Sequence, residues 1–251
     1  MEAPAYWGVA GQPISHSVTP KLFSIVGDAV GLVQAEQIFV EASGEEEFYS
    51  KVGMLDGDLW LSCTAPLKHS LHSRLGVQGP VGVNAINQLM RSNGAWKGAS
   101  TDGVGFVSAC RHIGVEPSGS ILRMRGGGST ARSIAAAWSS EGGSIIPEMG
   151  RRKLVRGPWD SSILESGNAD ISIDLDSAPA GGQSVELESD MQVSISYNES
   201  SSKEDFAIIM LAAQHLEAWH SRFSPKDWKS IPDLEDVLAH LCFEEFGIHI
   251  S

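Results

Sequence analysis

The sequence has few cysteines, no excess of positive charge and no long apolar run. Its 251 residues contain three cysteines, Cys63, Cys110 and Cys242. An odd number of widely separated cysteines argues against a disulfide framework and a zinc cluster, and fits a reducing compartment. Acidic residues outnumber basic ones by 31 to 18, a net charge of −13, which argues against nucleic acid or an anionic membrane as a partner. No stretch approaches the ~18 apolar residues of a membrane span, and the first residues lack a signal-peptide pattern. We therefore expect a soluble, cytoplasmic protein without a metal site.

Strand and helix patterns alternate along the chain, which predicts an α/β fold. Its length favours two lobes. In the first lobe, strands are expected at 6–10, 35–40 and 58–63, helices at 19–31 and 45–51, and a β-hairpin around Asn93-Gly94.

The second lobe is predicted to be Rossmann-like. A strand at 120–124, the Gly126-Gly127-Gly128 turn, a helix at 129–140 and a strand at 144–149 form a βαβ unit. Further strands are expected at 170–175 and 192–197, and closing helices at 205–220 and 232–246. The predicted domains are a substrate-binding and catalytic domain at 1–103, a dinucleotide-binding domain at 104–204 and C-terminal helices at 205–251 that return to the first domain.

Polar residues near the ends of the predicted strands are candidates for a site. Ser17 and Thr19 lie two apart at a helix entrance, so both hydroxyls could reach one carboxylate or polyol; the alternative is that Thr19 caps the helix. Lys68 follows a buried strand, where α/β proteins place ligands, and Asp102 precedes a helix that it could simply cap. Alcohol–ketone interconversion needs a proton carrier, and a lysine beside a carboxylate can supply one.

The glycine turn of the second lobe is a candidate anion site. Backbone N–H groups at the following helix N-terminus could bind a pyrophosphate, although a tight turn without ligand gives the same pattern. The basic run that begins at Arg151 and Arg152 stands where an adenosine ribose would lie, which favours NADP over NAD. A solvated basic patch is the alternative, and Glu148 would instead favour a free ribose hydroxyl.

Five segments, in order, resemble the motifs of shikimate dehydrogenases. They are Gly11–Pro20 (G-x-P-I-x-H-S-x-S-P), Ser62–Lys68 (N-V-T-x-P-x-K), Ala85–Gln88 (A-V-N-T), Ser100–Phe106 (N-T-D-x-x-G-F) and Met210–Gln214 (M-L-x-x-Q). Thr19 replaces the second serine of the first motif.

The resemblance implies the reversible NADPH-linked reduction of 3-dehydroshikimate to shikimate, in the pathway to chorismate and the aromatic amino acids. Lys68 and Asp102 would be the catalytic pair. The substrate would bind to Ser17, Thr19, Thr64, Asn87 and Gln214, and the cofactor to Gly126, Gly127, Gly128, Ser129, Arg151 and Arg152. The partner would be a small molecule and the protein a monomer or homodimer; quinate in place of shikimate and NAD in place of NADP stay open.

The cofactor half resembles the family less closely than the substrate half. Ser129 replaces a glycine, the chain after Tyr197 is shorter than usual, and Asp174 and Asp176 stand where the family has N-A-T. Their like charge should weaken polyanion binding. A binding or regulatory descendant that keeps the polyol pocket without productive dinucleotide binding is therefore an alternative. A hydrolase using Ser17 and His16 is disfavoured, since neighbouring side chains on an extended chain face opposite ways.

Overall fold

The structure, a computed structural model, describes residues 3–15, 17–32, 34–177, 182–198, 201–222 and 230–245, with the backbone alone at 72–73 and 242–245. His16 therefore lies outside the described residues. The chain forms two compact units. The first comprises Met1–Thr101 and His215–Leu241, and the second comprises Asp102–Gln214 and the chain after Leu241. The units change after residues 101 and 214, whereas the domain boundaries predicted from the sequence follow residues 103 and 204.

The first unit contains a mixed five-stranded sheet in the order β2-β1-β3-β4-β5. Its strands are β1 (Tyr6–Gly11), β2 (Glu36–Glu41), β3 (Leu59–Cys63), β4 (Gln88–Ser92) and β5 (Ala95–Ala99). The first three are parallel, and β4 and β5 form an antiparallel hairpin. Asn93 and Gly94 both have positive φ, 51° and 76°, as the predicted two-residue hairpin turn requires.

Three helices accompany this sheet: α1 (Thr19–Ala29), α2 (Glu45–Val52) and α3 (Leu71–Leu75). The sequence predicted α1 and α2 but not α3 or the 3₁₀ turn Leu67–His69, which are too short to show helical periodicity.

An aromatic cluster fills the core beside α1. The ring centroid of Phe23 lies 4.8 Å from that of Trp60, and Trp60 lies 4.8 Å from Trp219. All three side chains are almost fully buried. Trp219 belongs to α6 (Phe206–Arg222), so the last part of this helix completes the first unit's core.

The second unit contains a parallel four-stranded sheet in the order β7-β6-β8-β9. Its strands are β6 (Ile121–Arg125), β7 (Ser144–Glu148), β8 (Ile171–Asp174) and β9 (Met191–Val193), and its helices include α4 (Asp102–His112) and α5 (Ser129–Ser140). The chain continues from β6 to β7 on one side and later to β8 on the other. In such sheets ligands bind outside the carboxyl ends of the strands, where the strand order reverses.

Two expectations for the last elements are corrected or extended. Strand β9 ends at Val193 rather than at 197. Ser194 Oγ accepts the N–H of Ser196, a local bond that competes with strand pairing. The final helix, α7, spans Leu234–Glu245. None of the helices in the described part of the chain is long and apolar enough to cross a membrane.

Candidate functional site

The carboxyl ends of β1 and β3 bring two motif loops together in the first unit. The N–H of Gln12 donates to the carbonyl of Ala65 at 2.9 Å, and the N–H of Thr64 donates to that of Ala10 at 2.8 Å. Gly11 has φ +141°, and a Cβ there would overlap the Thr64 side chain and lie 2.7 Å from the Ala65 carbonyl oxygen. The glycine is thus needed for close approach of the loops that carry Ser17 and Lys68.

Ser17 and Thr19 meet at the start of α1. Ser17 Oγ accepts the N–H of Thr19 at 3.3 Å. Thr19 is the first helical residue and is 4% exposed. Val18 occupies the N-cap position without a side-chain bond, so the expectation that Thr19 caps this helix is wrong. The Thr19 hydroxyl instead lies 3.3 Å from Nε2 of His215.

His215 is a buried neutral imidazole that sequence reasoning missed. It is fully buried, its ring packs edge-on against Phe23 with centroids 5.3 Å apart, and burial lowers its pKa from 6.5 to about 3. Nδ1 has no hydrogen-bond partner among the described residues. Because an orphaned buried N–H is rarer than an under-satisfied acceptor, the Nε2–H tautomer is favoured. That tautomer donates to Thr19 Oγ1 and leaves the hydroxyl proton of Thr19 available for a ligand.

Lys68 lies in the 3₁₀ turn that follows β3, and its carbonyl accepts the N–H of Ile86 at 2.9 Å. Burial raises the pKa of the Cys63 thiol to about 12, and the positive charge of Lys68 opposes that rise. The Lys68 ammonium group is therefore close enough to the end of β3 to act electrostatically on the Cys63 thiol.

Asn87 is buried beside the same strand end. Its Nδ2 donates to Thr101 Oγ1 at 3.0 Å, and its Oδ1 accepts the N–H of Thr101 at 2.7 Å. The predicted substrate residue thus also fixes the chain one position before Asp102. Thr101 is a positioning residue that sequence reasoning missed.

Asp102 opens α4 in the second unit and is 2% exposed. Thr130 Oγ1 donates to its Oδ2 at 3.1 Å, and the N–H of Gly103 donates to Ser133 Oγ at 2.9 Å. A Cβ on Gly103 would overlap the Ser133 carbonyl, so α4 and α5 are in direct contact. The predicted catalytic carboxylate therefore lies beside the first turn of the helix that follows the glycine turn.

Gln214 lies on the opposite side of α4. A Cβ on Gly105 would be 2.5 Å from the Gln214 Cα, so α6 touches α4 less than one turn from Asp102. The second unit thus places Asp102, Gln214 and the start of α5 around the N-terminal end of α4. Lys68 and the hydroxyl residues belong to the first unit.

The glycine turn has features that fit a pyrophosphate. Gly126 has φ +108°, and a Cβ on Gly127 would overlap the backbone at Lys153. Gly128 is the N-cap of α5 without a side-chain cap, and Ser129 is its first residue, so the initial N–H groups can face an anion. Burial, then the charge of Arg152, lowers the pKa of Arg132 in this first turn. A second guanidinium is therefore nearby.

The surroundings of Arg151 do not fit a 2′-phosphate as arranged. The carboxylate of Asp176 accepts the backbone N–H of Arg151, and its Oδ1 lies 3.6 Å from Arg151 Nε. Glu148, which would favour a free ribose hydroxyl, is bonded to Arg123 at 2.6 Å.

Asp174 is engaged in a neighbouring ion pair. Arg125 Nη1 donates to both of its oxygens at 3.0 and 3.1 Å. Burial raises the pKa of Asp174, but the N–H groups of Val185 and Asp176, together with Arg125, lower it on balance. Carboxylate–guanidinium pairs thus lie at the carboxyl end of this sheet, among them Arg125–Asp174 and Arg151–Asp176.

Comparisons with known proteins found shikimate dehydrogenases that are similar to this chain. A shikimate dehydrogenase (NADP(+)) of Rubrobacter xylanophilus is 33% identical over 137 residues, which cover 52% of this chain and 47% of that protein. The structure of shikimate dehydrogenase 1 of Peptoclostridium difficile matches with a TM-score of 0.70 at 16% identity, over 98% of this chain and 99% of that one. Shikimate 5-dehydrogenase of Thermus thermophilus in complex with shikimate matches with a TM-score of 0.70 at 17% identity, over 97% and 99% of the two chains.

The sequence likeness is shorter than the structural one. The chain spans about half the length of the curated relatives that it matches, whereas the α/β fold corresponds across nearly the whole chain. No family model matches the sequence. The α/β fold predicted from the sequence is confirmed.

Proposed function

We propose that the chain is a member of the shikimate dehydrogenase family and that it interconverts 3-dehydroshikimate and shikimate with a nicotinamide dinucleotide. NADPH is the cofactor suggested by the name of the Rubrobacter relative. The observation that carries the proposal is the bond between Thr130 and Asp102. It links the proposed proton-handling carboxylate directly to the helix that would receive the dinucleotide.

In the proposed site, Ser17 and Thr19 bind the substrate carboxylate through their hydroxyl groups. The Nε2–H tautomer of His215 donates to Thr19 Oγ1, so the hydroxyl proton of Thr19 is directed towards an acceptor other than the imidazole. Thr64, Asn87 and Gln214 bind the ring hydroxyls. The Asn87 amide is held in place by its two bonds to Thr101.

Lys68 and Asp102 handle the proton in this proposal. In the reducing direction, Lys68 Nζ donates a proton to the carbonyl oxygen as it becomes a hydroxyl. The Asp102 carboxylate is the second proposed proton-handling group. The N–H groups at Gly128 and Ser129, with Arg132, would hold the pyrophosphate. The bound dinucleotide would supply the hydride to the carbonyl carbon.

Steady-state assays with shikimate and either NADP+ or NAD+ test the proposal, with Lys68→Ala as the matched inactive control. The wild type should turn over, and Lys68→Ala should lose roughly 10²–10⁴-fold in kcat, the usual range for a general acid–base group. Circular dichroism establishes that both proteins are folded. Absence of turnover above the variant in folded protein contradicts the proposal.

A second candidate is a binding or regulatory protein that recognises a shikimate-like acid without productive dinucleotide binding. The ion pairs of Asp174 and Asp176 with Arg125 and Arg151 favour it, since they leave no surplus positive charge in that cluster. Calorimetry separates the candidates: this one requires shikimate binding without binding of NADPH or NADH, and tight binding of either dinucleotide rejects it.

A further inference from the structure

We propose that Asp176 is a specificity-determining residue for the dinucleotide. Its carboxylate occupies the position beside Arg151 that a 2′-phosphate would need, and so lowers affinity for NADPH without a comparable effect on NADH. The inference rests on the proposed dinucleotide binding by the second unit, and it concerns the choice between two dinucleotides.

The path of the chain places Asp176 over two neighbouring strand ends. Asp176 follows β8, yet its Oδ1 lies 3.0 Å from the point where Gly126, after β6, would carry a Cβ. Its Oδ2 would overlap a Cβ on Gly150, which follows β7. The carboxylate thus lies at the carboxyl ends of β6 and β8, where the strand order reverses. It also reaches the carboxyl end of β7, the second strand of the βαβ unit. In dinucleotide-binding folds, the adenosine ribose lies at this second strand end.

Asp176 engages three nitrogen atoms of Arg151. The backbone N–H donates to the carboxylate, Nη2 donates to the Asp176 carbonyl at 3.2 Å, and Nε lies 3.6 Å from Oδ1. A guanidinium is the usual partner of a 2′-phosphate in such folds. Here a phosphate would have to displace a carboxylate and then remain close to its charge.

The guanidinium of Arg125 does not offset this competition. Arg125, which lies 4.0 Å from Asp176 at its closest approach, is bonded to both oxygens of Asp174. Asp176 is itself held by its N–H, which donates to Asp174 Oδ1 at 2.9 Å. The carboxylate is therefore fixed in place, and its side chain is 10% exposed.

The unphosphorylated ribose of NADH meets the same carboxylate differently. A 2′-hydroxyl is neutral and can donate a hydrogen bond to an acidic side chain, which is how many NAD-binding proteins recognise it. Asp176 is thus compatible with NADH and opposed to NADPH, so the ratio of the two affinities reports its effect.

Asp176→Asn is the direct test, because asparagine keeps the shape and an acceptor for the Arg151 N–H while it removes the charge. Asp190→Asn is the matched control: Asp190 is exposed and precedes β9, at the amino edge of the same parallel sheet. The affinities of NADPH and NADH are measured by calorimetry for the full chain and both variants, at low and high salt.

We expect Asp176→Asn to tighten NADPH binding about tenfold or more, as for removal of one close like charge at a partly screened site. NADH affinity should stay the same or fall, the gain for NADPH should shrink at high salt, and Asp190→Asn should leave the ratio unchanged. Equal changes for the two dinucleotides, or none in a folded variant, overturn the inference. The shikimate turnover assay does not depend on the ratio of NADPH to NADH affinity, so failure of this inference leaves the proposed function intact. Absence of any dinucleotide binding in all three proteins overturns both.

Arg151→Ala provides a second test that does not depend on the folding of Asp176→Asn, since the Arg151 side chain is 76% exposed. In the chain that keeps Asp176, Arg151→Ala should weaken NADPH binding by less than about threefold, because the guanidinium is already paired with Asp176. A loss of about tenfold or more would show that Arg151 serves the 2′-phosphate freely and would overturn the inference.

Discussion

Lowering the pH from 7 to 5 is expected to destabilise the first unit through His215. This imidazole is buried against Phe23 and Thr19, and burial holds its pKa at about 3 in the folded chain against 6.5 for the ordinary group. Below pH 6.5 the unfolded chain binds a proton that the folded chain does not. Stability contributed by the neutral imidazole is therefore fully present above pH 6.5 and is lost as the pH falls towards 3.

The size of the effect follows from the gap between the two pKa values. Each pH unit between them lowers the free energy of unfolding by about 1.4 kcal/mol. At pH 5, one and a half units below the unfolded value, the loss is about 2 kcal/mol. For a chain of this length each kcal/mol lowers Tm by roughly 2–4 °C, so His215 alone should lower Tm by roughly 4–8 °C.

Urea denaturation at pH 7 and pH 5, followed by tryptophan fluorescence, measures this loss because Trp219 and Trp60 lie in the same core. His215→Gln is the matched variant: its amide N–H can still donate to Thr19, but glutamine does not titrate. All other histidines and carboxylates are common to both proteins, so the difference between their pH dependences isolates His215. The same loss of stability in both proteins would refute the reasoning.

Two further predictions concern α4. Asp102→Asn should lower kcat for shikimate oxidation by at least about 10²-fold while calorimetric affinity for shikimate changes less than threefold; an unchanged kcat contradicts its proposed role. Gly103→Ala should destabilise the second unit by roughly 1–3 kcal/mol because its methyl group overlaps the Ser133 carbonyl. Gly128→Ala, whose Cβ would meet nothing within 4 Å, is the control in chemical denaturation, and equal losses would contradict the contact between α4 and α5.

The strands and their connections could be predicted because local features specify them. Asn93 and Gly94 adopt the positive φ values that only a few residues accept readily. From β6 to α5, an apolar strand pattern, the turn at Gly126 and a helix-forming segment follow one another, so local sequence marks each boundary. The loops of Ser17 and Lys68 adjoin because parallel strands end at one edge, so their neighbourhood followed from the predicted sheet.

The side-chain pairings could not be predicted in this way. Thr19 and His215 are 196 positions apart, and no periodicity relates them. In the sequence, His215 is one polar residue in an apolar helix. Asp176 was expected to weaken polyanion binding by its charge, but its contact with Arg151 depends on the order of β7, β6 and β8, which brings three separate strand ends together.

The two units hold their candidate residues by different physical means. In the first unit, Thr19 and Asn87 are positioned by bonds between neutral groups, which salt does not screen. At the carboxyl edge of the second unit, Arg125 and Arg151 are held by carboxylates, whose interactions weaken with ionic strength. In the proposed site, the neutral hydroxyl groups would bind a substrate carboxylate without fixing the total charge of the ligand, whereas the balanced ion pairs of the second unit would penalise each added phosphate. Because Asp176 belongs to the second unit, we expect a single neutral substitution there to alter the proposed choice of dinucleotide while the proposed substrate residues of the first unit stay as they are.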